Sequence, residues 1–198
     1  MLLYDSAVSG NCYKVRLLFA HLGIEYERRE LSVVDRSDRP DVLGGLNPAL
    51  RVPTLVMDDG RTLGESNAIT WFFAEGTEYL PTDPFERAQV LQWQFFEQYD
   101  HEPNIAVARF WKLHEIDPGE AQLAAKHAGG EKALAAIERH LAGGHDYLVG
   151  RRYSIADIAL YAYTHVASEG GFELEPFPAT RAWLDRVTAQ PGHGPITA

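Results

Sequence analysis

The apolar pattern of this chain changes character across residues 76–84, a stretch that holds Gly76, Pro81, Asp83 and Pro84. Before it, strand-like and helix-like periods alternate; beyond it only helical spacing recurs. Leu2-Leu3-Tyr4 predicts a strand. Cys12, Val15, Leu18, Phe19 and Leu22 then predict a helix, with Lys14 and Arg16 off its apolar face, Asn11 placed to cap it and Gly23 after its end. A second strand is expected within 24–31, so the chain opens as one βαβ unit. Residues 32–50 are charged and have room for only a short helix. A strand over 52–57 enters through Pro53, turns at Asp58-Asp59-Gly60 and returns over 61–63. Residues 65–75 read as a helix with Ala68, Ile69, Phe72 and Phe73 on one face. Four helices follow: 87–113, bent near Pro103; 120–141, stopped by Gly143-Gly144; 155–166; and 179–187. The tail, 191–198, has no period. The expected organisation is an α/β domain over 1–76, a linker over 77–84 and an all-α domain over 85–198.

That division suits 198 residues, and the formal charge of -10 narrows the partners. Such a field repels phosphate backbones and anionic lipid, so neither nucleic acid nor a membrane surface is expected. One cysteine, Cys12, excludes an intramolecular disulfide and a cysteine-rich metal site, and fits a reducing compartment. The start has no basic leader before an apolar core, and no run of apolar residues is long enough to span a bilayer. No metal is expected: His140 and His145, with Asp146, are separated by Gly143-Gly144 and form no i, i+4 pair. Ser66 does not lie in G-x-S-x-G, and no G-x-G-x-x-G follows the first strand.

Four segments can carry chemistry or plain structure. Pro53 is either an ordinary edge-strand proline or a cis proline that turns the Val52 backbone outward to pair with a peptide-like ligand. Glu65 and Ser66 open a helix, where they either cap it or clamp an amino-acid head group, carboxylate on Ser66 and ammonium near Glu65. Ser9-Gly10-Asn11 lies between the first strand and helix, where Ser9 or Asn11 either caps the helix or donates to a thiolate held over its amino end. Cys12 is read as buried, not as a nucleophile. Ser154-Ile155-Ala156-Asp157 has the spacing of a capping box.

Taken together, these segments resemble the cytosolic glutathione transferases of the bacterial type. The matching stretches are Ser9-Gly10-Asn11-Cys12-Tyr13-Lys14-Val15-Arg16, Asn47-Pro48 through Val52-Pro53-Thr54-Leu55, Leu63 through Glu65-Ser66-Asn67-Ala68-Ile69, and Ser154-Ile155-Ala156-Asp157. They run in order along nearly the whole chain. The resemblance implies a thioredoxin-like first domain, an all-helical second domain and glutathione as co-substrate, with no metal. It implies that Pro53 is the family's cis proline and that Val52 pairs with the cysteinyl backbone. Glu65 and Ser66 would hold the γ-glutamyl group, Ser9 would activate the thiol with Asn11 beside it, and Arg51, with Arg39 as a looser match, would reach the glycyl carboxylate.

The resemblance further implies a transferase that directs the thiolate at a small hydrophobic electrophile. Two alternatives stay open: a glutathione-dependent reductase, peroxidase or dehalogenase on the same fold, and a non-catalytic binding or stress-regulatory module. Tyr4 is too early for the catalytic tyrosine of the animal classes. Tyr99, Phe110, Trp111 and His114 are the candidates for the acceptor pocket, with Arg109 as its cation. Ser154 and Asp157 are a folding element. A cytoplasmic homodimer is expected, the 65–75 helix facing the long helices of the other subunit.

Overall fold

The computed structural model describes residues 1–198 as two units, Met1–Thr77 with Pro191–Ala198, and Glu78–Gln190. In the first unit, β1 (Leu2–Asp5), α1 (Gly10–Leu22), β2 (Glu27–Glu30), α2 (Arg39–Leu43), β3 (Thr54–Val56), β4 (Thr62–Gly64) and α3 (Ser66–Ala74) follow in order. The sheet runs β2-β1-β3-β4, with β1 parallel to β2 and the other pairs antiparallel. The parallel pair needs a crossover, and α1 supplies it. This is the thioredoxin-like arrangement. Leu3, Val15, Phe19, Leu55 and Ile69 form its core between sheet and helices. β2 is shorter than the expected 24–31: its four residues, Glu-Arg-Arg-Glu, are all exposed at the sheet edge, where charge discourages further pairing.

Two expectations about α1 are corrected. Its cap is Ser9, whose Oγ accepts from Cys12 N–H at 3.3 Å, while Asn11 already lies inside the helix. Lys14 and Arg16, expected to point off the buried face, are 0% and 6% exposed. Arg16 donates to Asp5 Oδ1 (2.6 Å), to the carbonyls of Ser6 and Ala7, and to that of Ile196. Periodicity locates apolar faces only, and this helix is covered on its polar side as well.

The Ile196 contact belongs to a third correction. The tail does not join the helical unit. It returns to α1, where Tyr13 Oη donates to the Gly194 carbonyl at 2.6 Å and His21 Nδ1 lies 2.8 Å from the Pro191 carbonyl.

The second unit contains α4 (Pro84–Phe96), α5 (Glu102–Leu113), α6 (Glu120–Ala142), α7 (Ile155–Thr164) and α8 (Pro178–Thr188). The helix expected over 87–113 is broken by a π turn, Glu97–His101. Pro103, the second residue after it, has no N–H to give the ladder, so the helix rewinds there. Asp83 caps α4, its carboxylate accepting from Glu86 N–H at 2.9 Å.

The capping box at α7 forms as the spacing predicts. Asp157 also accepts from Leu148 N–H at 3.0 Å and from Trp183 Nε1 at 2.9 Å, so one buried carboxyl ties α7 to α8 and to the preceding loop. Burial raises its pKa to about 6 in spite of these donors.

Candidate active site

The carboxyl end of β1, the entry to β3 and the exit of β4 meet at one edge of the sheet. Tyr4 pairs with Thr54, and Thr54 pairs with Gly64. Ser9-Gly10-Asn11 follows β1, Val52-Pro53 precedes Thr54, and Glu65-Ser66 follows Gly64. Three of the four candidate segments are thereby brought together, and each has its own geometry.

The bond between Val52 and Pro53 is cis. The ladder begins only at Thr54, so the Val52 backbone lies beyond it. The loop that delivers Val52 is braced from beneath. Asn47 Nδ2 donates to Thr54 Oγ1 at 2.8 Å and to the Arg51 carbonyl at 3.3 Å, and Thr54 Oγ1 donates to the same carbonyl at 2.6 Å. Arg39 is buried in this bracing: its guanidinium donates to the carbonyls of Leu50 (3.1 Å) and Ser32 (2.6 Å). Arg39, expected as a looser match for a ligand residue, holds the loop through these two carbonyls. Arg51 is exposed.

Glu65 has φ 63°, a left-handed conformation that a residue with a Cβ rarely adopts. It precedes α3 without capping it by its side chain, and is exposed. Leu50, on the opposite segment, has φ 53°. Strained backbone of this kind persists where surrounding structure imposes it, and it concentrates at ligand clamps. Ser66, the first residue of α3, is buried; its hydroxyl donates to Asn11 Oδ1 at 3.3 Å. That contact joins the start of α3 to the first turn of α1, beside Ser9.

Ser9 Oγ is an acceptor within its helix, which leaves its proton able to serve a bound anion. Cys12, one position into the first turn, is fully buried, and burial, reinforced by Asp5, holds its thiol protonated. Tyr13 is committed to the tail.

In the helical unit the five acceptor candidates separate. Phe110 and His114 lie one turn apart with ring centroids at 4.6 Å, and Trp111 is half-buried beside them. Tyr99 sits in the π turn and is 80% exposed. Arg109 is buried, with Nε donating to Glu169 Oε2 at 2.7 Å. Through that contact the side chain reaches the 3-10 turn at Ala167–Gly170.

Three site residues were missed in the sequence: Lys14, Asn47 and Gly64. Lys14 Nζ donates to Asn11 Oδ1 at 2.8 Å. Its three-residue spacing from Asn11 was the available signal.

Models of two domain families match the chain: glutathione S-transferase, N-terminal domain, over residues 8–75, and glutathione S-transferase, C-terminal domain, over residues 99–191. The crystal structure of a glutathione S-transferase from Pseudomonas fluorescens is 47% identical, with a TM-score of 0.95, covering 100% of this chain and 98% of that one. Maleylacetoacetate isomerase of Pseudomonas aeruginosa is 28% identical over 198 residues, 96% of this chain and 92% of its own length. Elongation factor 1-gamma of Artemia salina is 28% identical over 172 residues, but the match takes in only 40% of that longer protein.

Proposed function

The chain belongs to the glutathione S-transferase family, and from that premise we propose how its residues use glutathione. The tripeptide lies along the sheet edge with its cysteinyl backbone on Val52. Its γ-glutamyl group is held by Glu65 and Ser66, the ammonium at the carboxylate and the α-carboxylate at the first turn of α3. Arg51 meets the glycyl carboxylate. Ser9 donates to the sulfur, with Asn11 beside it. The left-handed backbone of Glu65, next to a buried Ser66 hydroxyl bonded to Asn11, is the observation that supports this reading most.

The chemistry follows from the thiol. At a pKa of about 8.5, little of it is ionised at neutral pH. Bringing it to about 6.5 takes roughly 2.7 kcal/mol, on the order of one charge-assisted hydrogen bond and a helix amino end together. The thiolate then attacks a small hydrophobic electrophile. We assign the acceptor pocket to the helical unit, on the Phe110, Trp111 and His114 side of α5. Because Cys12 is buried, any reduction of a disulfide or peroxide would run through the sulfur of glutathione itself.

We further propose a homodimer in the cytoplasm. No helix is long and apolar enough to cross a membrane. Phe85, Leu91, Phe95 and Tyr99 stand exposed along α4 and the π turn. Apolar side chains in such density are commonly covered by a partner. Sedimentation should give roughly twice 22.1 kDa; a monomer alone would refute the dimer.

Calorimetry with glutathione, followed by turnover of a chloronitrobenzene, tests the enzyme reading. No heat of binding at millimolar glutathione would end it. Binding with no turnover of that acceptor or of a hydroperoxide would favour a non-catalytic module.

A further inference from the structure

Lys14 is buried in the first turns of α1, close to the helix amino end. Burying an ammonium is costly, and a helix amino end repels positive charge. An apolar side chain of similar length would fill the space without either penalty, so the charge calls for a purpose.

Its contacts indicate one. The ammonium donates to Asn11 Oδ1 at 2.8 Å and to Ser66 Oγ at 3.5 Å, and Ser66 Oγ itself donates to Asn11 Oδ1 at 3.3 Å. An ammonium has donors and no acceptor, so the amide atom facing it has to be oxygen. Two donors converge on that oxygen. Reversing the amide would set its NH2 against the ammonium, which has no lone pair to accept it. The Asn11 NH2 is therefore directed away from Lys14.

We propose that Lys14 is a positioning residue for thiol activation: it locks the Asn11 amide with its NH2 turned toward the bound sulfur and links that setting to Ser66, where the γ-glutamyl carboxylate sits. The proposal rests on the glutathione-binding reading above. It makes one buried charge serve both ends of the tripeptide, through Asn11 at the thiolate and through Ser66 at the head group.

The thiolate of bound glutathione absorbs in the near ultraviolet, so its titration can be read directly. In Lys14→Met the midpoint should rise by about one pH unit, from about 6.5 to about 7.5, which is roughly a threefold loss of thiolate at about pH 7. Turnover should fall with it, while circular dichroism stays that of the wild type. Because Lys14 acts through Asn11, the double variant N11A/K14M should titrate as N11A alone does. An unmoved midpoint in K14M, or additive shifts in the double variant, would overturn the proposal.

Should K14M fail to fold, Asn11→Asp serves in its place, since it offers Lys14 a carboxylate. Its thermal midpoint should equal or exceed the wild type's while the thiol midpoint rises. A lower thermal midpoint, or a thiol midpoint left in place, would count against the proposal. If wild-type protein binds no glutathione, the functional reading fails and takes this proposal with it. If it binds and K14M is unaltered, only the role of Lys14 falls.

Discussion

Gly64 and Asn47 approach so closely that a Cβ on the glycine would stand 2.8 Å from the carboxamide Nδ2. That nitrogen holds Thr54 and the Arg51 carbonyl, so Gly64 is the floor on which the Val52 loop rests. Gly64→Ala must push the amide aside. A loss of about 1–3 kcal/mol is expected, as for other overpacked sites. Glutathione affinity should fall with it although residue 64 touches no ligand. Thermal unfolding and calorimetry check both, and a variant with unaltered affinity would show that the loop is held otherwise.

Ser9→Ala removes a helix cap and the proton offered to sulfur. The cap alone is worth about 1 kcal/mol of stability. The larger effect should be on turnover: a hydrogen bond to a charged atom is worth about 1.5–3 kcal/mol, on the order of ten- to a hundredfold in rate. Binding of the un-ionised thiol should change little. Equal losses in affinity and in kcat would argue that Ser9 only holds the helix.

Glu65 separates strain from recognition. Glu65→Gly relieves the left-handed backbone, a gain of about 1 kcal/mol, and removes the carboxylate. Glu65→Ala removes the carboxylate and keeps the strain. Both should weaken glutathione binding severalfold, while only the glycine variant should match or exceed the wild type in thermal midpoint. Retained affinity in either variant would mean that the ammonium is held elsewhere.

Asp157 gives the pH dependence of stability a definite sign. Burial lifts its pKa from 3.8 to about 6. The folded chain therefore holds this proton more tightly than the unfolded chain does. The resulting stabilisation is complete below about pH 4 and is lost as pH rises through about 6. Asp157→Asn cannot titrate, so the stability gap between it and the wild type should change across that window. A gap that stays constant from pH 4 to pH 7 would show that the carboxyl is ionised throughout.

The order of strands and helices was legible because apolar spacing and turn residues record it directly. Pro53 and the Ser154–Asp157 box were legible for the same reason: their geometry is local. Buried charge was not. Lys14 and Arg16 looked like surface residues because hydrophobic periodicity treats every cation as solvent-facing. Arg39 holds its loop through carbonyls of Ser32 and Leu50, acceptors visible only once the loop folds around it. Arg109 finds Glu169 sixty positions away. Pairings of that kind leave no mark on neighbouring residues, and the tail at 191–198, without any period, gave no hint that it packs on α1.

That tail has a kinetic consequence. Arg16 bonds to Ile196 and Tyr13 to Gly194, across separations of 180 and 181 residues. Contacts so distant along the chain form late. During synthesis the amino-terminal half can assemble its sheet early, yet it waits for nearly the whole polypeptide to emerge before these last two stitches are made. The same guanidinium grips Ser6 and Ala7, just upstream of Ser9, so the segment leading to that serine becomes fully tethered only at the close of folding.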